Sequence, residues 1–155
     1  MPVTQEEIRE HLRANVRVVV QVAGPGDGSP EVAWGDTFFY VRDHSGHPKK
    51  MPFVTIVTKD YEGFDTASNL DRGGLFRLNI DVGKEKFEAL FGFEPRDLEL
   101  YSDRFDVTSV SQLFPHPVYG ASSWVSIINP GSEATDMVNS ILEFSLERAL
   151  ERSRA

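Results

Sequence analysis

The sequence predicts a two-layer α+β domain, an antiparallel sheet of about five strands with an N-terminal helix and a long C-terminal helix. Three observations predict it. Short stretches rich in β-branched residues follow one another through turn-like connections, which suits hairpin pairing better than helical crossovers. Amphipathic helical patterns stand at both ends of the chain. The 155 residues show no internal repeat and no linker-like stretch, so residues 1–155 form a single domain.

The elements follow in order. Thr4 is a good N-cap, and Glu7 three residues later completes a capping box. Ile8, His11 and Leu12 continue at helical spacing, which predicts a helix over Gln5 to Ala14. "VRVVVQVAG", Val16 to Gly24, reads as the first strand. "GPGDGSP" is a turn; it lacks the Gly-Lys-Ser/Thr of a phosphate loop and no helix follows it. "VAWGDTFFYVR", Val32 to Arg42, is a second strand that puts Trp34, Asp36, Phe38 and Tyr40 on one face and Thr37 and Phe39 on the other. Gly35 within it signals a bulge or a close backbone approach.

"DHSGHPKKMP" is a polar turn, and "FVTIVTKD" is the third strand. The loop "YEGFDTASNLDRGG" carries one helical turn around Thr66 to Leu70. "LFRLNIDV" is the fourth strand. Its alternation sets Leu75, Arg77, Asn79 and Asp81 on a wet or cleft-lining face against buried Phe76, Leu78, Ile80 and Val82. A short amphipathic helix, "GKEKFEALFG", comes next, followed by the irregular Phe93 to Val110. "SWVSIINP" is the fifth strand. The last helix runs from Glu133 to Arg152 with Ser132 as its cap, and Met137, Val138, Ile141, Leu142, Ser145, Leu146 and Ala149 form its apolar stripe.

Composition narrows the function. The chain has no cysteine, which excludes disulfides, thiolate nucleophiles and cysteine-based metal sites. No apolar run approaches the length a membrane helix needs, and the first residues do not form a signal peptide. The expected location is the cytoplasm. With 16 basic and 24 acidic side chains the net charge is −8, which disfavours nucleic acid as a partner.

The candidates for chemistry are few. "LFPHPVYGASSW" sets His116 between two prolines that fix the backbone on both sides, so its ring is held in a defined direction. A held histidine can be a general acid or base, but no nucleophile motif accompanies it, and a structural or cleft-lining role has more support. "DHSGH" carries His44 and His47 beside Asp43, a spacing that metals sometimes use, yet Gly46 and Pro48 mark it as a solvated turn. Asp36 is expected to hydrogen-bond a turn or to pair with Lys59 or Arg77. Trp34, Asp36, Lys59 and Arg77, with Asn79, His116, Tyr119 and Trp124, make a mixed aromatic and polar set of the kind that lines ligand pockets or protein interfaces. Arg148, Arg152 and Arg154 suit the negative end of the last helix and, interleaved with Glu147 and Glu151, make a poor nucleic-acid patch.

"WGDTFFY", "FVTIVTKDYEGFDTASNLDRGGLFRLNI", "LFPHPVY" and "SWVSIINPG", in this order, resemble the bacterial DUF6194 family, from about Val32 to the last helix. That family carries no established activity. More distantly the layout resembles the MmcQ/YjbR-like proteins, whose proline-and-tyrosine corner followed by a tryptophan strand would match Pro117, Tyr119 and Trp124. The wider resemblance implies DNA binding, from which this chain departs in its charge and its missing basic stripe. The reading is therefore a small, non-catalytic binding or regulatory domain, monomeric or homodimeric, without a cofactor or metal. Its expected ligand is an unknown small molecule or protein. DNA binding, and an enzyme using His116, are the alternatives.

Overall fold

The computed structural model describes residues 3–154. Six short strands, β1 (Val18–Val22), β2 (Thr37–Val41), β3 (Val54–Val57), β4 (Arg77–Asp81), β5 (Leu113–Pro115) and β6 (Trp124–Ile128), form one sheet in the order β1-β2-β3-β4-β6-β5. All five pairings are antiparallel. The additional strand is Leu113–Pro115, which adds to the outside of β6. Its sequence reads as a corner because it ends in Pro115 and Pro117 follows two residues later. Pro115 is tolerated there because an edge strand has one side free of ladder bonds.

Helices α1 (Gln5–Arg13), α2 (Gly83–Phe91) and α4 (Thr135–Arg152) belong to one layer. The capping box at Thr4 forms as its spacing predicts: the Glu7 N–H donates to Thr4 Oγ1 at 3.1 Å, and the Thr4 N–H donates to Glu7 Oε1 at 3.2 Å. Ser132 does not cap α4. Ser132–Ala134 forms a single 3-10 turn leading into the helix, with no side-chain cap. A further short helix, α3 (Leu98–Tyr101), lies within the stretch expected to be irregular, and the helical turn of the long loop falls at Leu70–Arg72 rather than at Thr66 to Leu70.

The core lies between the helices and one sheet face. Ile8 and Leu12 from α1, Phe87 from α2, and Val138, Ile141 and Leu142 from α4 meet Phe39, Ile56, Leu78, Ile80, Val125 and Ile127 of the sheet. Each fully buried aliphatic or aromatic side chain contributes about 1.5–3 kcal/mol relative to exposure, so this face dominates stability. The opposite face is only partly covered. A small second cluster of Val57, Leu70, Phe114 and Ile128 sits where the 61–74 loop folds over it.

The C-terminal arginines have a definite task. Asp81, at the end of β4, receives Arg148 at 3.2 Å and Arg152 at 3.5 Å, and Ser145 Oγ donates to its carbonyl at 2.7 Å. These contacts tie α4 to the sheet. Gly83 makes room for them: its φ is +78°, and a Cβ there would lie 2.3 Å from Arg148 Nε. The positive φ strains any side chain there, and Arg148 would have to shift to admit one. Gly83→Ala is expected to lower the unfolding free energy by about 1–3 kcal/mol, read by urea denaturation; an unchanged midpoint would show that the α4 tether yields freely.

Candidate functional site

Strand register decides what faces the partly covered side. Gln21, Phe38, Thr55, Asn79, Ser126 and Phe114 lie directly opposite one another in sequence across β1, β2, β3, β4, β6 and β5. The neighbouring row carries Val57, Arg77 and Ile128. A cavity of about 450 Å³ opens on this face. Phe38, Tyr40 and Thr55 form part of its floor, Met51 and Phe64 stand on its sides, and His116, Tyr119 and Trp124 close one end. The rings at that end contact one another, with centroids 5.0 Å apart for His116 and Tyr119 and 6.0 Å for Tyr119 and Phe64. Such an aromatic wall suits a flat ligand.

Behind the floor lies a buried charge network. Of the wet or cleft-lining positions open to the polar face of β4, Arg77 is not a wet one: it is only 1% exposed. Its Nε donates to Asn79 Oδ1 at 2.8 Å, its Nη1 to Asp65 Oδ1 at 3.1 Å and Ser68 Oγ at 3.0 Å, and its Nη2 to Asp65 Oδ2 at 2.5 Å. The paired, two-point contact with Asp65 is the geometry in which a guanidinium is stable away from water. The same Nη2 lies 3.2 Å from His116 Nε2.

Asp36 makes a second network. It is wholly buried, and its Oδ1 accepts from the Thr58 N–H at 2.8 Å, the Thr58 hydroxyl at 2.7 Å and Lys59 Nζ at 3.1 Å. Its Oδ2 accepts from the Tyr61 hydroxyl. Burial, and then the Asp36 carboxylate, push the Tyr61 phenol up, so it stays a donor. Lys59 also donates to the Trp34 carbonyl at 2.7 Å. Of the two partners considered for Asp36, Lys59 is the one it takes; Arg77 takes Asp65.

The corner orients His116. Its backbone N–H pairs with the Trp124 carbonyl at 3.0 Å, and its Nδ1 accepts from the Val118 and Tyr119 N–H groups at 2.9 and 3.0 Å. Gly120 permits the turn, since a Cβ there would meet Leu98 at 2.7 Å. Burial first, and the Arg77 charge second, lower the imidazole from its ordinary 6.5 to about 3, against a smaller opposing effect of Asp65. The ring is therefore neutral near pH 7.

Of the residues singled out in the sequence, Asn79, His116, Tyr119 and Trp124 line the cavity. Arg77 lies directly behind it, and Asp36 and Lys59 brace its Tyr61 wall. Trp34 is outside the lining; its indole N–H donates to the Ser29 carbonyl. Asp65, Ser68, Tyr61 and Thr55 were not singled out. Strand parity with Phe38 and Asn79 was the available signal for Thr55, whereas the loop residues depend on a fold-back that no local pattern encodes. The "DHSGH" turn is closed by Asp43 Oδ1, which accepts from the Ser45 N–H at 2.8 Å and the His47 N–H at 3.1 Å. Among the described residues no group of three or more acidic or histidine side chains is placed to hold a metal. None of the described helices is long and apolar enough to cross a membrane.

Two outcomes test this geometry. Asp65→Ala strands the Arg77 guanidinium in the interior and is expected to cost about 3–5 kcal/mol in chemical denaturation. The Asp65→Ala/Arg77→Met pair should lose less than the sum of the two single changes; strict additivity would mean the two side chains do not interact. The His116 shift also has a pH signature. Since the unfolded chain takes up a proton near pH 6.5 that the folded ring refuses, this stabilisation is whole above that pH and is lost as the pH falls toward about 3. Relative to His116→Asn, wild type should lose up to about 1.4 kcal/mol per pH unit across that window, and parallel curves would contradict the buried neutral ring.

The chain belongs to the family described as a family of unknown function (DUF6194), whose model matches residues 3–155. No curated protein and no solved structure matches it.

Proposed function

We propose that this member of the DUF6194 family is a non-catalytic, cytoplasmic binding domain that takes a small planar molecule on the partly covered face of its sheet. One observation carries the reading: a cavity of about 450 Å³, within the range of ligand sites, walled by aromatic and apolar side chains over a few convergent polar groups. Met51 and Phe64, 74% and 57% exposed, stand on its walls where apolar surface gains most from being covered.

Several features favour binding over catalysis. His116 is the one histidine in the cavity lining, and its depressed basicity makes it a weak proton acceptor near neutral pH. The Asp36 and Asp65 carboxylates are both engaged by internal donors, which removes them as bases. Nucleic acid is a poorer partner for a chain of net charge −8 whose Arg148 and Arg152 are occupied by Asp81.

Native mass spectrometry of gently purified protein is the test, with Thr55→Phe as the cavity-filled control. Wild type is expected to retain a small molecule that Thr55→Phe lacks, and a panel of planar aromatics should raise the melting temperature of wild type only. A bare chain mass in both proteins, with no compound moving either melting curve, would sink the binding reading.

A further inference from the structure

The polar atoms beside His116 are unevenly matched, and the excess there is of donors. Two backbone N–H groups point at His116 Nδ1, so that nitrogen holds the lone pair and the neutral ring carries its proton on Nε2. The Nε2–H then faces Arg77 Nη2, a group that can only donate. Four of the five Arg77 N–H groups have oxygen acceptors in Asn79, Ser68 and Asp65, and the fifth is aimed at this donor. Two side chains that are 96% and 99% buried thus bring N–H groups together without a protein oxygen between them. Unmatched donors in such surroundings are costly until an acceptor meets them.

A second chain of bonds ends the same way. Ser126 Oγ donates to Asn79 Oδ1 at 2.7 Å, and Asn79 Nδ2 donates to Thr55 Oγ1 at 3.0 Å. The Thr55 hydroxyl proton has no acceptor among the described residues, and Thr55 lines the cavity. The carboxylates that would answer these donors are consumed elsewhere, Asp36 by Thr58, Lys59 and Tyr61, and Asp65 by Arg77. Charge is balanced as well: Arg77 is offset by Asp65 and Lys59 by Asp36. An anion entering the cavity would leave water without gaining an uncompensated cation.

We infer that the ligand is an uncharged, planar heterocycle bearing a carbonyl-type acceptor oxygen, which the His116 Nε2–H, with Arg77 Nη2 behind it, recognises at the closed end of the cavity, while the Thr55 hydroxyl offers a further donor on its floor. This rests on the binding reading above and adds the chemistry of recognition. Aromatic walls supply area for any flat ring, whereas the donors select for one that brings an oxygen.

Three bicyclic probes of matched size separate the possibilities in heteronuclear NMR titrations of the whole protein: carbostyril, a neutral lactam; naphthalene, with no acceptor; and quinaldate, a carboxylate. Before any probe is added, the imidazole nitrogens of His116 should show the Nε2–H tautomer; an Nδ1–H ring would overturn the inference and leave the binding reading intact. Carbostyril is expected to bind about tenfold or more tightly than either of the others, the equivalent of one good hydrogen bond, and to move the His116 nitrogen signals. His116→Asn keeps an acceptor for the turn but lacks the ring donor, and should abolish that preference. Naphthalene binding in the cavity as tightly as carbostyril would overturn the acceptor rule while preserving the pocket, and tightest binding by quinaldate would overturn the neutrality argument. Failure of all three to move any cavity resonance would remove the binding reading and this inference together.

Discussion

A guanidinium with almost no contact with solvent sets the terms for one whole side of this molecule. Arg77 lies in the middle of the sheet, and its charge and four of its five N–H groups are answered by protein oxygens. The answer comes from the 61–74 loop, which brings Asp65 and Ser68 over β4. Tyr61 and Asp65 exchange backbone hydrogen bonds of 2.9 and 2.8 Å, so the loop presents the carboxylate on a small structured turn. The loop is not a loose connection: it covers one half of the open sheet face because Arg77 requires it, and it leaves the other half as the cavity.

The two charge networks divide the labour. Asp36 joins the start of β2 to the residues after β3, and through Tyr61 it holds the same loop from its other end. Asp65 and Arg77 hold it from beneath. The cavity wall is consequently anchored at two buried carboxylates, each with its own cation. A wall fixed in this way stands before any ligand reaches it, which under the proposed function lowers the ordering cost of binding.

Much of this was legible in the sequence and some was not. The capping box at Thr4 and the stripe from Val138 to Leu146 are local patterns, and local patterns decide helices of this kind. The alternation in "LFRLNIDV" separates the two faces of β4 correctly but cannot say that a distant loop seals the polar one. Asp65 therefore drew no notice as a loop acid, and Arg77 could be placed on a wet or cleft-lining face but not beneath a sealing loop. The strand Leu113–Pro115 was hidden for another reason: three residues, the last a proline, carry too little pattern to be read as a strand, and β6 supplies the missing specification by pairing with them. The corner around His116 was readable as rigid from its prolines, while the role of its Nδ1 as a turn acceptor depends on backbone positions that only the fold provides.

The row of residues that crosses all six strands, from Gln21 to Phe114, also works as an error check during assembly. Sliding β4 by one position against its neighbours would turn Arg77 and Asn79 into the hydrocarbon layer beneath the helices and expose Leu78 and Ile80 in their place. A misaligned sheet would thus bury an unanswered cation, a far larger fault than the loss of a few ladder bonds. The polar residues beside the cavity also make wrong pairings of the central strand self-rejecting, so the side chains to which we assign recognition in the finished protein also proofread it while it forms.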